Sequence, residues 1–136
     1  MDDSRARMEL EAAFCASVQG YNDGLFEDYI AGMHANVSYD IPTYAAPLLG
    51  KTIVRGMYED FLGELDAFHW EAIGPVFVVA GDTGVVLSGF RHTFTPIGKP
   101  EIVSEGRNTV VFTRERGRWV KVAESLCHKP VLADKG

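Results

Sequence analysis

Cysteine is scarce: Cys15 and Cys127 are the only two in 136 residues. Two thiols so far apart make neither a disulfide scaffold nor a zinc site, which needs four ligands at closer spacing. Long hydrophobic runs are missing, so no stretch reaches the length of a membrane-spanning helix. The opening MDDSRARMEL lacks the apolar centre of a secretory signal. Positive charge is in deficit, with 13 Lys and Arg against 19 Asp and Glu and a net charge of −6. Nucleic acid and anionic membranes need a basic surface, so neither is expected as a partner. Arg114, Arg116 and Arg118 cluster at a turn, where solvated charge is the plainer reading than a phosphate site. Gly81-Asp82-Thr83-Gly84 reads as a hairpin turn, and no glycine-rich phosphate loop or metal constellation stands out. The expectation is a cytoplasmic protein with reduced thiols and neither metal nor cofactor.

What is present is an ordinary globular composition, 46% hydrophobic and 24% charged. The length fits one domain over residues 1–136, with 131–136 as a tail. Leu10, Phe14, Val18 and Tyr21 recur at helical spacing and predict a first helix over about 3–20. Gly20-Tyr21-Asn22-Asp23-Gly24 ends it. Leu25, Phe26, Tyr29, Ile30 and Met33 predict the buried stripe of a second helix. Residues 37–41 alternate like a short strand, ended by Pro42, and 43–49 reads as an apolar loop. Thr52 is the expected N-cap of a third helix that carries Ile53, Met57, Phe61 and Leu65, with Val54, Tyr58 and Leu62 beside them. Residues 68–79 form a long apolar run broken at Gly74-Pro75, predicting a bent or bulged strand. Residues 85–95 predict the next strand, followed by a turn at 96–100.

The last hairpin, residues 101–128, carries the most information. Arg116-Gly117 is the expected two-residue turn. Unbroken pairing from it sets Val111 against Val122, Thr109 against Glu124 and Arg107 against Leu126. Alternation then puts Arg107, Thr109, Val111, Val122, Glu124, Leu126 and His128 on one face. Asn108, Val110, Phe112, Trp119, Lys121, Ala123, Ser125 and Cys127 share the other. Charge inside an otherwise apolar face suggests a polar site within a core. Helices followed by a meander of strands make an α+β domain. The expected form is three N-terminal helices on a strongly curved antiparallel sheet, a cone with an internal cavity.

Several segments resemble the nuclear transport factor 2-like superfamily, and within it the SnoaL-like domains. They are Tyr21-Asn22-Asp23-Gly24-Leu25 between the first helices, residues 34–40 entering the first strand, and Gly50-Lys51-Thr52-Ile53-Val54-Arg55 opening the third helix. Residues 106–112 with Gly117-Arg118-Trp119 are similar to the family's last hairpin. The resemblance implies the cone fold, and it leaves isomerase, dehydratase, hydrolase, cyclase and non-catalytic roles open. The positions of the base and oxyanion-hole pair of the ketosteroid isomerases of this fold fall on Ile41, Ser17 and Thr109, so that activity is not implied. The paired histidines that end many SnoaL-like domains correspond to Ala123 and Ser125. Of the carboxylate–arginine–carboxylate set of the fold's epoxide hydrolases only one carboxylate remains, at Glu124; the others fall near Phe90 and Ser88.

Glu124 is therefore the leading candidate, as a general base or acid whose carboxyl sits among apolar residues. Arg107 is the expected clamp for a developing oxyanion, or else the structural ion-pair partner of Glu124. His92 alternates with Phe90 and Ser88 and joins the pocket if that face is inward. Asp40 is one position away from the steroid isomerase base and would need a bulge to turn in. Tyr21, Tyr39, Tyr58, Phe61, Phe90, Thr109 and His128 are the expected ligand contacts. Two readings remain. One is a cofactor-free enzyme acting on an apolar oxygenated metabolite; the other is a non-catalytic binding or assembly domain. A homodimer through the outer face of the sheet is expected, with Val110, Phe112, Trp119 and Ala123 as its apolar patch.

Overall fold

Leu10, Phe14 and Tyr21 are buried along one side of α1 (Asp3–Asn22), as their spacing requires. The computed structural model describes residues 3–128, so the expected tail at 131–136 lies outside the described residues. After α1 come α2 (Phe26–Ala31), β1 (Met33–Asp40), a two-residue strand β2 (Leu48–Leu49) and α3 (Lys51–Gly63). Four long strands follow: β3 (Leu65–Ala80), β4 (Thr83–Pro96), β5 (Ile102–Glu115) and β6 (Arg118–His128). The six strands form one curved, unclosed sheet in the order β2-β1-β6-β5-β4-β3. The architecture is α+β, with one difference from expectation: β1 runs parallel to β6. Long-range parallel pairing leaves no local turn signal, so it cannot be read from a meander pattern.

Smaller differences have local causes. Residues 43–49 are not all loop, because β2 pairs back onto β1. The helix α3 starts one residue after Gly50 (φ 95°), so Thr52 lies inside it rather than capping it. Within α3 the buried position is Val54, while Ile53 is 55% exposed. Met33 is the first residue of β1, not the end of α2, and Leu25 is 51% exposed. The break at Gly74-Pro75 is a bulge within one continuous strand, where the register to β4 shifts between Ile73 and Val76.

Arg116 (φ 52°) and Gly117 (φ 78°) both take positive φ, the geometry of a two-residue hairpin turn matched to strand twist. Pairing runs as expected from Glu115↔Arg118 to Phe112↔Lys121 and then changes. Phe112 pairs with Lys121 and Val111 with Ala123, leaving Val122 as an extra residue. A one-residue bulge exchanges the two faces of everything beyond it. Val110, not Thr109, therefore stands against Glu124. Val110 and Phe112 face the helices in one core cluster with Leu10, Phe14 and Val86. A second cluster joins Ile30, Met33, Val37, Tyr39 and Val54.

At the edge strand β3, Asn22 grips the backbone of Trp70. Its side-chain nitrogen donates to the Trp70 carbonyl (2.9 Å), and its oxygen accepts the Trp70 N–H (2.7 Å). The C-terminus of α1 is thereby tied to a sheet edge that would otherwise be open to pairing.

Candidate functional site

A pocket of about 550 Å³ opens between the two core clusters. Phe14, Val18 and Val110 line it from one side, and Tyr29, Ile41, Met57 and Tyr58 from the other. Phe61, Trp70, His92 and Phe94 add an aromatic wall. Tyr44, Ile102 and Val103, each more than 40% exposed, mark its open end, with Glu105 and His128 beside them.

At the buried end stand Lys121 (5% exposed) and Glu124 (8%). The Val122 bulge brings these two charges to the same face although they are three residues apart. Lys121 Nζ donates to Glu124 Oε1 (3.0 Å), to the Tyr29 hydroxyl (3.2 Å) and to the Tyr39 hydroxyl (3.2 Å). An ammonium has three N–H donors, so all are in use. Asn108 Nδ2 donates to Glu124 Oε2 (3.1 Å). The other atom of that amide, Oδ1, is buried and has no partner among the described residues. Tyr29 OH lies 3.1 Å from Tyr39 OH and 3.0 Å from Tyr58 OH. Burial, and next the Glu124 charge, raise the pKa of Tyr29 and Tyr39; burial, and next Tyr29, raise that of Tyr58. All three are phenols, not phenolates, at neutral pH.

A second polar pair joins α1 to β4. Tyr21 OH and His92 Nε2 are 2.9 Å apart. Burial, then the neighbouring Tyr58, push the Tyr21 pKa up, so it too keeps its proton. Burial, and less so neighbouring His69, push His92 down from 6.5 to about 4. His92 is therefore neutral at physiological pH, able to accept or give a proton at a ring nitrogen. Tyr21, Phe61 and Trp70 pack around it with ring centroids 5.2–5.9 Å away.

The expected residues divide as follows. Glu124, His92, Tyr21, Tyr58, Phe61 and His128 line the pocket. Tyr39 is behind the wall, reaching the site through Lys121 and Tyr29. Phe90 is buried beneath Trp70, stacked at 4.5 Å and 12°. Arg107 and Thr109 are on the opposite face: the bulge in β6 turns Glu124 to the Val110 side, away from both, and Arg107 is exposed. Lys121 occupies the place beside Glu124 that the unbroken register gave to Arg107. Asp40 is exposed, because no bulge intervenes between it and buried Tyr39 and alternation turns it away. Lys121, Asn108 and Tyr29 went unpredicted as site residues. Their signal was present but partial: a lysine and an asparagine on a face that also holds Val110, Phe112, Trp119 and Ala123, with Ser125 and Cys127 further along. Among the described residues no three His, Cys, Asp or Glu side chains converge on a possible metal position. No helix there is long and apolar enough to cross a membrane.

No protein-family model and no curated protein matches the sequence. Solved structures do match. A candidate dehydratase of the nuclear transport factor 2-like family from Streptomyces avermitilis is 20% identical, with TM-score 0.82, over 97% of this chain and 100% of that one. A nuclear transport factor 2-like superfamily protein from Salmonella enterica serovar Typhimurium is 12% identical, with TM-score 0.83, over 99% of both chains. A candidate scytalone dehydratase from Novosphingobium aromaticivorans is 11% identical, with TM-score 0.83, over 94% of this chain and 87% of that one. At such identities the likeness is one of backbone, and on that ground this chain has the nuclear transport factor 2-like fold.

Proposed function

We propose that the pocket is the interior of a SnoaL-like cone, that it takes an apolar, oxygenated small molecule, and that Glu124 moves a proton on that molecule without a cofactor. The observation that carries this reading is the state of the Glu124 carboxylate. It is buried, lines the pocket, and holds one hydrogen bond on each oxygen, which leaves each oxygen a lone pair for a ligand proton. Lys121 balances its charge and Asn108 fixes its plane. His92 and Tyr21 supply a second proton-transfer pair on the same wall. The reaction class is isomerisation, dehydration, cyclisation or hydrolysis by general acid–base catalysis, and the candidate dehydratases among similar structures fit that class.

Solvent exchange tests it. 2-Tetralone, an enolisable aryl-fused ketone, is incubated with the protein in deuterium oxide and loss of its α-protons is followed by NMR. The wild type is expected to exceed the buffer rate, and Glu124→Gln to lose roughly a hundred-fold or more of that excess. Undiminished exchange in Glu124→Gln would overturn the assignment. Binding without exchange in the wild type would favour the alternative, a non-catalytic ligand-binding domain.

A homodimer through the outer sheet face is the second part of the proposal. Its apolar patch differs from the expected one, because Val110 and Phe112 face the helices. Val76 (54% exposed), Val78 (47%) and Leu87 (40%) stand together on β3 and β4, with Val85 and Val111 in register beside them. Such a row needs cover in a soluble protein.

A further inference from the structure

Proton counting at the buried end of the pocket assigns a direction to the tyrosine chain. Each hydroxyl has one proton to give and two lone pairs to receive. Tyr29 OH has three polar neighbours: Lys121, Tyr39 and Tyr58. Lys121 can only donate, so it takes one lone pair. Of the two remaining contacts Tyr29 must therefore accept one and donate one. Two orders satisfy this. In the first, Tyr39 donates to Tyr29, and Tyr29 donates to Tyr58. In the second, Tyr58 donates to Tyr29, and Tyr29 donates to Tyr39.

The second order fails at Tyr39. That hydroxyl already accepts from Lys121, and would then accept from Tyr29 as well. Its own proton would have no acceptor, in a residue only 1% exposed. A buried donor without a partner is costly. The first order leaves no such orphan. Tyr39 accepts from Lys121 and donates to Tyr29, and Tyr29 accepts twice and donates once. The one proton left over belongs to Tyr58, which lines the pocket and has no other hydrogen-bond partner among the described residues. We infer that Lys121 is a positioning residue that orders the protons of this chain, so that Tyr58 presents its O–H to an acceptor oxygen of the ligand. The ammonium acts through two tyrosines and touches no ligand. The site thus offers a ligand a hydrogen-bond donor at Tyr58. A ligand with a carbonyl-type oxygen satisfies it. This inference rests on the proposed ligand pocket and deepens it.

The test reads the carbonyl stretch of bound, carbonyl-labelled 2-tetralone by infrared difference spectroscopy, with tetralin as the carbonyl-free control. In the wild type one band is expected, moved to lower frequency by a hydrogen bond. Tyr58→Phe is expected to return the band to the position of an unbonded carbonyl. It should weaken the ketone about five-fold, as for one neutral hydrogen bond, and leave tetralin binding unchanged. A wild-type band position retained in Tyr58→Phe would overturn the donor assignment. Lys121 is tested by comparing the wild type with the Lys121→Met/Glu124→Gln double variant, in which no unpaired buried charge remains to unfold the protein. With the ammonium gone both proton orders become available. The double variant should show two bands, bonded and free, where the wild type shows one. A single bonded band in the double variant would overturn the ordering role of Lys121. Failure of the ketone and of tetralin to bind any form would instead overturn the pocket reading itself, and this inference with it.

Discussion

His92 links the pocket to pH at the scale of a single residue. Its folded pKa of about 4 lies below the ordinary 6.5, so the unfolded chain binds the proton more tightly. Its contribution is whole above about pH 6.5 and is lost as the pH falls from there towards 4. Because His92 is only partly buried, the expected loss is about 2 kcal/mol rather than the full value of the shift. Urea denaturation at pH 7 and pH 4.5 should show that much less pH dependence in His92→Phe than in wild type. Equal slopes would mean that His92 is solvated and free to protonate. His92, like Glu124, was legible as a candidate in sequence because a titratable group interrupts an apolar alternation. Arg107 met the same criterion and faces solvent. Nothing in Lys121-Val122-Ala123 marks a bulge, since no glycine or proline stands there, and one hidden residue was enough to exchange Arg107 for Lys121.

Elements were more legible than registers. The helical spacing of α1, the turn at Arg116-Gly117 and the break at Gly74-Pro75 all follow from local chemistry. The parallel β1–β6 pairing and the Val122 bulge do not, because they are settled by contacts distant in sequence. Two glycines show how closely the elements fit. A Cβ at Gly106 would be driven into the carbonyl oxygen of Cys127 and stand 2.9 Å from His128 Cα, both backbone atoms of β6. At Gly84 it would meet Leu10 Cδ1 at 2.8 Å and Trp119 at 3.2 Å, which are side chains able to give. Gly106→Ala is therefore expected to cost about 3 kcal/mol and to splay the end of β6 that carries Leu126 and His128. Gly84→Ala should cost about 1 kcal/mol. Chemical denaturation measures both, and the reverse order would contradict this account of the β5–β6 contact.

At the scale of the whole molecule, one curved sheet gives its two faces different work. One side meets the helices and lines the pocket. The outer side bears Val76, Val78, Leu87 and their neighbours, with Arg107 and Arg91 exposed further along the same face. Sedimentation velocity at micromolar concentration should give a dimer, and Leu87→Lys should weaken it at least ten-fold by placing an ammonium in the apolar patch. A wild-type monomer would contradict the dimer proposal and leave the pocket untouched. Which face a residue serves was the least legible property in the sequence, since a mixed face looks alike from either side.

On the proposed function, Lys121 and Glu124 are kept for chemistry rather than for stability. Buried ion pairs are often no better for stability than neutral groups of the same size, whereas removing one partner alone typically costs 3–5 kcal/mol. The most direct measurement is the unfolding free energy of Lys121→Met beside that of Lys121→Met/Glu124→Gln. The single variant is expected to lose about 3–5 kcal/mol, and the double variant to equal or exceed the wild type. A double variant as unstable as the single one would contradict the claim and make the pair a structural tie between β5, β6 and the helices.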